Sequence, residues 1–597
     1  MVVSASPSSS VIELRKAKSP LDPRVSLSFK ETHICETTPG VKSFSGYVNV
    51  PANPAEGRLY DIHTFFWFFE ARKSPKHAPL ALWLQGGPGA PSTPAALGEN
   101  GPCYVNNDSR TTRLNPWSWN NEVNMLYIDQ PVQTGFSYDQ LINGTVDETV
   151  LPYVVTPVPE TSPIPELNST FLLGTFPSQD PSSTANTTTT AALAAWHFMQ
   201  TWIKEFPKYK PRNNEFSIWG ESYGGHYAPV FANFFTEQNK KAHGAVKLRI
   251  DTVGIVNGCI DVLEQMEWYP KMARNNTYGL ELITEEEYNA AMAAIPACHD
   301  IVMNCRTLAD EKDPEGRGNN PEVNQACAEG YEFCFQSIWG GVQAKGRNVF
   351  DITATVPGHF PPKYVAGYLN SKEIRDALGV PLNISGLSTA SNTAMLSTGD
   401  FLRNKNLKFL GDLLDQGVKV HLMYGDRDYQ CNWYGGEQVS LAINSRLAPG
   451  FRKAGYARIR TNSNSIGGYV RQHGHFSFSR VLDAGHEAPW YQPETTYRIF
   501  HRATFNTDIA TGRVPVEPKP AAVPPGVIYS TEGPASVAHI ANELPTHPAR
   551  SECYLWDVFE TCTPEQALQL RNGTAVVRDY VMVGYVQDDG EVVYYEE

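Results

Sequence analysis

Short apolar runs punctuate the chain. Residues 80–85 (LALWLQ), 123–129 (VNMLYID), 216–220 (FSIWG), 252–258 (TVGIVNG) and 418–426 (VKVHLMYGD) are strongly hydrophobic, and each closes on Gly, Asp or Gln. Runs of this length bounded by turn residues predict buried strands. Residues 188–207 (TTTAALAAWHFMQTWIKEFP) read differently: Ala-rich, with one apolar face, opening after Ser/Thr and closing at Pro207. That pattern predicts a helix. Strands alternating with helices predict a mostly parallel central sheet with helices on both faces, an α/β class. Upstream, GYVNV (46–50) and the run around LYDIHTFFWFFEAR (59–72) predict antiparallel strands leading into that sheet.

Three segments break the rhythm. Residues 140–186 are rich in Pro, Thr and Ser and read as a long surface excursion. Residues 265–362 carry four cysteines and lack sheet-like alternation, which predicts an insertion over one end of the sheet. Residues 509–550 contain VPVEPKPAAVPPG and read as an extended tail, followed by a short Cys-bearing segment.

Composition narrows the function classes. The 597 residues hold 49 basic and 63 acidic side chains, a net charge of −14, and no Lys/Arg run offsets it. This excludes a phosphate-tracking surface and predicts no nucleic-acid partner. No stretch reaches 18 consecutive apolar residues, so no membrane span is predicted. Ten cysteines and seven N-x-S/T sequons, at Asn107, Asn143, Asn168, Asn186, Asn275, Asn383 and Asn572, predict an N-glycosylated, disulfide-bonded protein of the secretory pathway, secreted or vacuolar. The first twenty residues hold no apolar stretch suited to a secretory leader. The two observations agree if the leader has been removed or the start mis-assigned. The cysteine spacing lacks the C-x-x-C pattern of zinc sites, so no metal is expected. The symmetric placing of Cys298, Cys305, Cys327 and Cys334 suits nested bridges 298–334 and 305–327, and Cys553 and Cys562 suit a short closed loop.

The chemistry concentrates at WGESYGGHYAP (219–229), where a strand run meets a helix-forming stretch. A G-x-S-x-G elbow at such a junction exposes the serine hydroxyl, here Ser222, at the top of an α/β sheet. A serine needs a base and a third group to orient that base. In α/β-hydrolases these follow in the order acid, then histidine. Asp426 and Asp428 both end the run YGDRDYQCNW, and spacing does not choose between them. His486, in RVLDAGHEAP, lies on a loop after a strand, whereas His226, His473 and His475 read as structural. LWLQGGPGAPS places Gly86 and Gly87 just past a strand, where bare backbone can approach a substrate.

LWLQGGPG, GENGPC, NPWSWN, MLYIDQPVQTGFSY, WGESYGGHYAP, GDRDYQCNW and AGHEAPWYQP, in this order, resemble the serine carboxypeptidases, especially the secreted fungal type called carboxypeptidase S1. The resemblance runs from about residue 35 to about residue 505. It implies an α/β-hydrolase fold with an inserted cap. The expected layout is an extended N-terminal segment over 1–34, a catalytic domain over 35–264 and 363–508, a cap over 265–362, and an extension over 509–597 wrapping the surface. It implies Ser222 as nucleophile, Asp428 as acid, His486 as base, and the Gly87 and Tyr223 amides as oxyanion donors. It also implies that Gln85, the Gly86 backbone, Glu99 and Glu221 grip the terminal carboxylate of a peptide or protein substrate. Crowded carboxyls hold at least one proton, which predicts an acid-active enzyme working through an acyl-enzyme, without cofactor. Acyl transfer to another acceptor and a catalytically silent binding protein are the alternatives; the intact Ser222, Asp428 and His486 argue against silence.

Three positions depart from the family pattern. Gln85 replaces the more usual Asn. Ala90 and Pro91 stand where many members have a cysteine, which leaves the loop looser or held otherwise. Glu487 follows His486 where an apolar residue is common, predicting a preference for basic terminal residues or weaker binding of acidic ones. Cys431, near the expected acid, is read as an unpaired thiol or a buried structural cysteine.

Overall fold

The computed structural model describes residues 15–18, 22–150, 154–159, 162–163, 166–241, 244–339, 342, 345–358, 362–403, 405–516, 528–546 and 552–595. Parts of the N-terminal segment (1–14, 19–21) and of the Pro-rich tail (517–527, 547–551) lie outside the described residues.

Twelve strands form one sheet. In chain order they are β1 (Arg15–Lys18), β2 (Ser26–Thr32), β3 (Ser43–Val50), β4 (Ile62–Phe69), β5 (Leu80–Leu84), β6 (Asn124–Ile128), β7 (Glu215–Glu221), β8 (Arg249–Val256), β9 (Lys419–Gly425), β10 (Tyr456–Arg460), β11 (Ile466–His473) and β12 (Phe476–Val481). Across the sheet the order is β1-β2-β3-β4-β6-β5-β7-β8-β9-β12-β11-β10. The six central strands from β6 to β12 pair in parallel, and antiparallel strands flank them on both sides. Each apolar run singled out above is one of the parallel strands. The sheet begins ahead of residue 35, because β2 pairs along its whole length with β3.

The parallel strands read as continuous apolar runs because both their faces are buried. On one face, Leu82, Ile218, Val253 and Leu422 pack under α1 (Thr188–Glu205) and α2 (Gly224–Lys241) through Phe198, Trp202 and Phe231. On the other, Trp83, Trp219, Val256 and Met423 form a second core with Trp119 and Phe500. The helix predicted over 188–207 begins with a Thr187/Thr190 capping box and ends at Glu205, two residues before Pro207.

The 140–186 excursion is not structureless. Residues 141–147, 155–157 and 171–177 form a three-stranded antiparallel ribbon. Within 265–362, α3 (Glu285–Lys312) and α4 (Pro321–Cys334) form a hairpin joined by the Cys298–Cys334 and Cys305–Cys327 bridges. Further bridges join Cys35–Cys103, Cys259–Cys431 and Cys553–Cys562. Cys431 is therefore not a free thiol: Cys259, just past β8, lies beside it and takes it into a disulfide.

Candidate active site

Four parallel strands, β5, β7, β9 and β12, end at the same edge of the sheet, and the loops leaving them carry the candidate groups. Ser222 follows β7 and adopts φ 60°, the left-handed conformation a sharp elbow needs. Gly220 and Gly224 flank it without side chains: a Cβ on Gly220 would stand 2.6 Å from the Gly224 oxygen, and one on Gly224 2.9 Å from the Leu84 oxygen. The elbow is tied to the neighbouring strand end, where Ser222 N donates to Val256 O (3.1 Å) and Cys259 N donates to Ser222 O (3.0 Å).

Asp428 is fully buried and accepts four hydrogen bonds: from Gln430 N (2.9 Å), Cys431 N (3.3 Å), Asn257 Nδ2 (2.9 Å) and His486 Nδ1 (2.7 Å). The pairing at Nδ1 leaves Nε2 as the ring nitrogen for proton transfer. The two aspartates differ in their partners. Asp426 belongs to a separate buried group: it pairs with Arg480 (3.0 Å) and accepts from Tyr278 Oη (2.7 Å), Asp483 N (2.9 Å) and Asn542 Nδ2 (3.0 Å). The turn of a short hairpin inside the 265–362 segment (Arg347–Asn348 paired with Asp351–Thr355) contacts both loops: Tyr429 N donates to Val349 O (3.0 Å), Ile352 N to Arg427 O (2.9 Å), and His486 N to Phe350 O (2.9 Å). The segment thus touches the loops that carry Asp428 and His486, a contact its sequence does not announce.

Gly86 runs so close to the elbow that a Cβ there would lie 2.4 Å from Tyr223 N and 2.6 Å from Glu221 O. The amides of Gly87 and Tyr223 make no internal hydrogen bond among the described residues. The Tyr223 ring is anchored below, where its hydroxyl donates to Asp400. The 86–91 loop contains no cysteine and is held by α5 (Thr389–Leu396) and its approach: Ser388 N donates to Gly89 O (2.9 Å) and Asn392 Nδ2 to Pro88 O (3.1 Å).

The carboxyl cluster lies on the same edge. Gln85 Nε2 donates to Glu221 Oε1 (2.7 Å), and Trp83 Nε1 donates to Gln85 Oε1 (2.9 Å), which fixes the orientation of the amide. Glu99 and Glu221 are buried and face one another, and one oxygen of each is buried without a donor. Burial pushes Glu99 up to about 8 and holds Glu221 well above the usual carboxylate range, with Glu99 adding to the latter. A proton retained on either carboxyl lets it act as a hydrogen-bond donor in this site.

Glu487, whose place after His486 suggests an influence on terminal-residue preference, is a third member of this group. It is fully buried with neither oxygen hydrogen-bonded, and burial, with the charges of Glu99, Asp428 and Asp351, pushes it well above its ordinary value. A carboxyl so placed is neutral at acid pH and offers no charge to a substrate. His226 is buried beneath the elbow against Tyr223 and is pushed down to about 3, so it stays neutral. His473 and His475 contact Ser530 and Leu414, away from this edge.

A parallel sheet with a serine on a strained turn after one strand, and an Asp–His pair on loops after two others, defines an α/β-hydrolase. The comparisons carry this further. The serine carboxypeptidase family model (Peptidase_S10) matches residues 34–506. Carboxypeptidase S1 homolog A from Arthroderma otae is 45% identical over 95% of this chain and 88% of its own length. Carboxypeptidase S1 from Penicillium janthinellum is 32% identical over 79% of this chain and 97% of its own. Among solved structures, Kex1(delta)p, a prohormone-processing carboxypeptidase from Saccharomyces cerevisiae, superposes with a TM-score of 0.54 at 22% identity, covering 78% of this chain and 91% of that one. The chain belongs to the serine carboxypeptidase family. It is a hydrolase that releases C-terminal residues from peptides.

Proposed function

We propose that release proceeds through an acyl-enzyme on Ser222, with His486 as base and Asp428 as its orienting acid, and that the enzyme works at acid pH. The observation that carries this reading is the Asp428–His486 pair at 2.7 Å on the sheet edge that also holds the elbow serine, together with a buried Glu99–Glu221 pair. Ser222 Oγ attacks the last peptide carbonyl as its proton passes to His486 Nε2. The Gly87 and Tyr223 amides receive the oxyanion. His486 returns the proton to the departing amino acid, and water then deacylates the serine.

The substrate's terminal carboxylate is received by Gln85, the Gly86 backbone, Glu99 and Glu221. Three carboxyls in one dry site do not all ionise, so a protonated Glu donates to the substrate. Peptide KM therefore stays low where the pair retains its proton and climbs as pH removes it. Release of free amino acid from an N-blocked dipeptide tests this. Activity is expected at acid pH, with KM rising toward and above neutrality. Transfer of the acyl group to an alcohol without hydrolysis would overturn it.

Five disulfides and accessible sequons support a secretory-pathway location, secreted or vacuolar. Asn107, Asn143, Asn168, Asn275 and Asn572 are exposed and suit N-glycans, whereas Asn186 and Asn383 are half-buried. Among the described residues no helix is long and apolar enough to cross a membrane. We read 265–362 as the cap unit and 552–595 as an appended module, docked through Tyr554.

A further inference from the structure

One covalent bond joins the loops behind the reacting groups. Cys259 stands three residues past the end of β8, and Cys431 stands three residues past Asp428. They are bridged with their Cα atoms 5.1 Å apart, across a sequence separation of 172. The backbone amide at each end of the bridge holds part of the site. Cys259 N donates to Ser222 O (3.0 Å), the carbonyl of the elbow. Cys431 N donates to Asp428 Oδ2 (3.3 Å), the same oxygen that pairs with His486 Nδ1 (2.7 Å). We propose that Cys259 and Cys431 are positioning residues for the reaction: their bridge fixes the elbow and the acid loop at one separation, so that Asp428 keeps His486 aimed at Ser222. The inference rests on the reading of Ser222, His486 and Asp428 as the catalytic groups.

The need for such a clamp follows from where the sheet stops. Register between β8 and β9 ends at Val256 and Met423. Past that point the loops meet through Asn257, which receives Gly425 N (3.0 Å) and donates to Asp428 Oδ2 (2.9 Å), and through the bridge two residues further on. Two of the donors to Asp428, Gln430 N and Cys431 N, belong to its own loop. They orient the carboxylate within that loop but move with it, and do not fix where the loop stands.

On the elbow side the contact has no slack. A Cβ on Gly225 would stand 2.5 Å from Cys259 O, so Cys259 lies directly against the first turn of α2. A displaced Cys259 therefore loads the turn that carries Ser222. Cys431 is fully buried and Cys259 nearly so, which suits a permanent clamp sealed from solvent thiols.

The test compares C259A/C431A with the parent and with C553A/C562A, which removes the bridge of the 552–595 module instead. Turnover of an N-blocked dipeptide is measured at a temperature where circular dichroism reports folded protein. In C259A/C431A kcat should fall about tenfold to a hundredfold, the effect of about an ångström of misplacement, and fluorophosphonate labelling of Ser222 should slow by the same factor. KM should stay within about twofold, because the bridge makes no contact with Gln85, Glu99 or Glu221. C553A/C562A should keep the parent's kcat. C259A/C431V, which refills part of the volume left by the sulfurs, should behave as C259A/C431A does. Parent-like kcat in either folded bridge variant, or an equal fall in C553A/C562A, overturns the proposal. Failure of both bridge variants to fold overturns it as well, because it assigns the bridge to folding alone. A parent not labelled at Ser222, or D428N with the parent's kcat, overturns instead the reading of the catalytic groups, and the proposal falls with it.

Discussion

Glu99→Gln isolates the energetic consequence of the buried acids. In the folded chain Glu99 is pushed from 4.5 up to about 8. The folded state therefore keeps this proton over a range where the unfolded chain has lost it. Stability from this group is complete below pH 4.5 and declines as pH rises toward 8. At about 1.4 kcal/mol per pH unit, the whole interval amounts to about 5 kcal/mol, and about 4 kcal/mol of that falls between pH 5 and pH 8. An unfolding entropy of about 2 cal/mol/K per residue gives this chain about 1.2 kcal/mol/K. Ionising Glu99 should then lower Tm by about 3 °C between those two pH values. Gln keeps the shape and removes the titration. It also removes the charge that helps to raise Glu221, so the variant's Tm should fall less than the parent's by at least that amount. Differential scanning calorimetry at pH 5, 6, 7 and 8 measures it, with peptide KM over the same range as the functional counterpart. Parallel Tm curves for parent and variant would refute the claim that this pair holds a proton.

Ser222→Ala should retain the fold, lose labelling by a fluorophosphonate, and lower kcat by several orders of magnitude. Asp428→Asn should lower kcat on the order of 10⁴-fold through mis-orientation of His486. Asp426→Asn should instead cost about 3–5 kcal/mol of stability, because it leaves the buried Arg480 guanidinium without its counter-ion, with kcat of the folded fraction within a few-fold of the parent. Equal kcat losses in the two variants would undo the distinction between the aspartates. Gly86→Ala puts a methyl 2.4 Å from Tyr223 N and should abolish turnover even where circular dichroism reports a folded protein.

How far the molecule can be read from its residues depends on whether the deciding interaction is local. The parallel strands were legible because burial on both faces leaves an unbroken apolar signature in a few consecutive residues. The serine turn was legible because a strained elbow demands glycines at fixed offsets. The ribbon at 141–177 was not, since its strands mix exposed, half-buried and buried positions and carry Thr, Asn and Gly without strict alternation. The Asp426–Asp428 ambiguity shows the limit most clearly. Both residues follow the same strand two positions apart, and what separates them is a partner on another strand or just past one: Arg480 for one, and the Asn257 amide and His486 for the other. Cys431 follows the same rule, because its partner lies 172 residues away. Glu487 inverts it. Next to a histidine on a loop, a glutamate looks available to solvent, yet the loop folds inward beneath Trp490 and Tyr491, whose amides donate to its carbonyl. Its carboxyl is sealed among other acids. The raised proton affinity of Glu487 is thus a property of packing, and a surface charge at the same sequence position would not reproduce it.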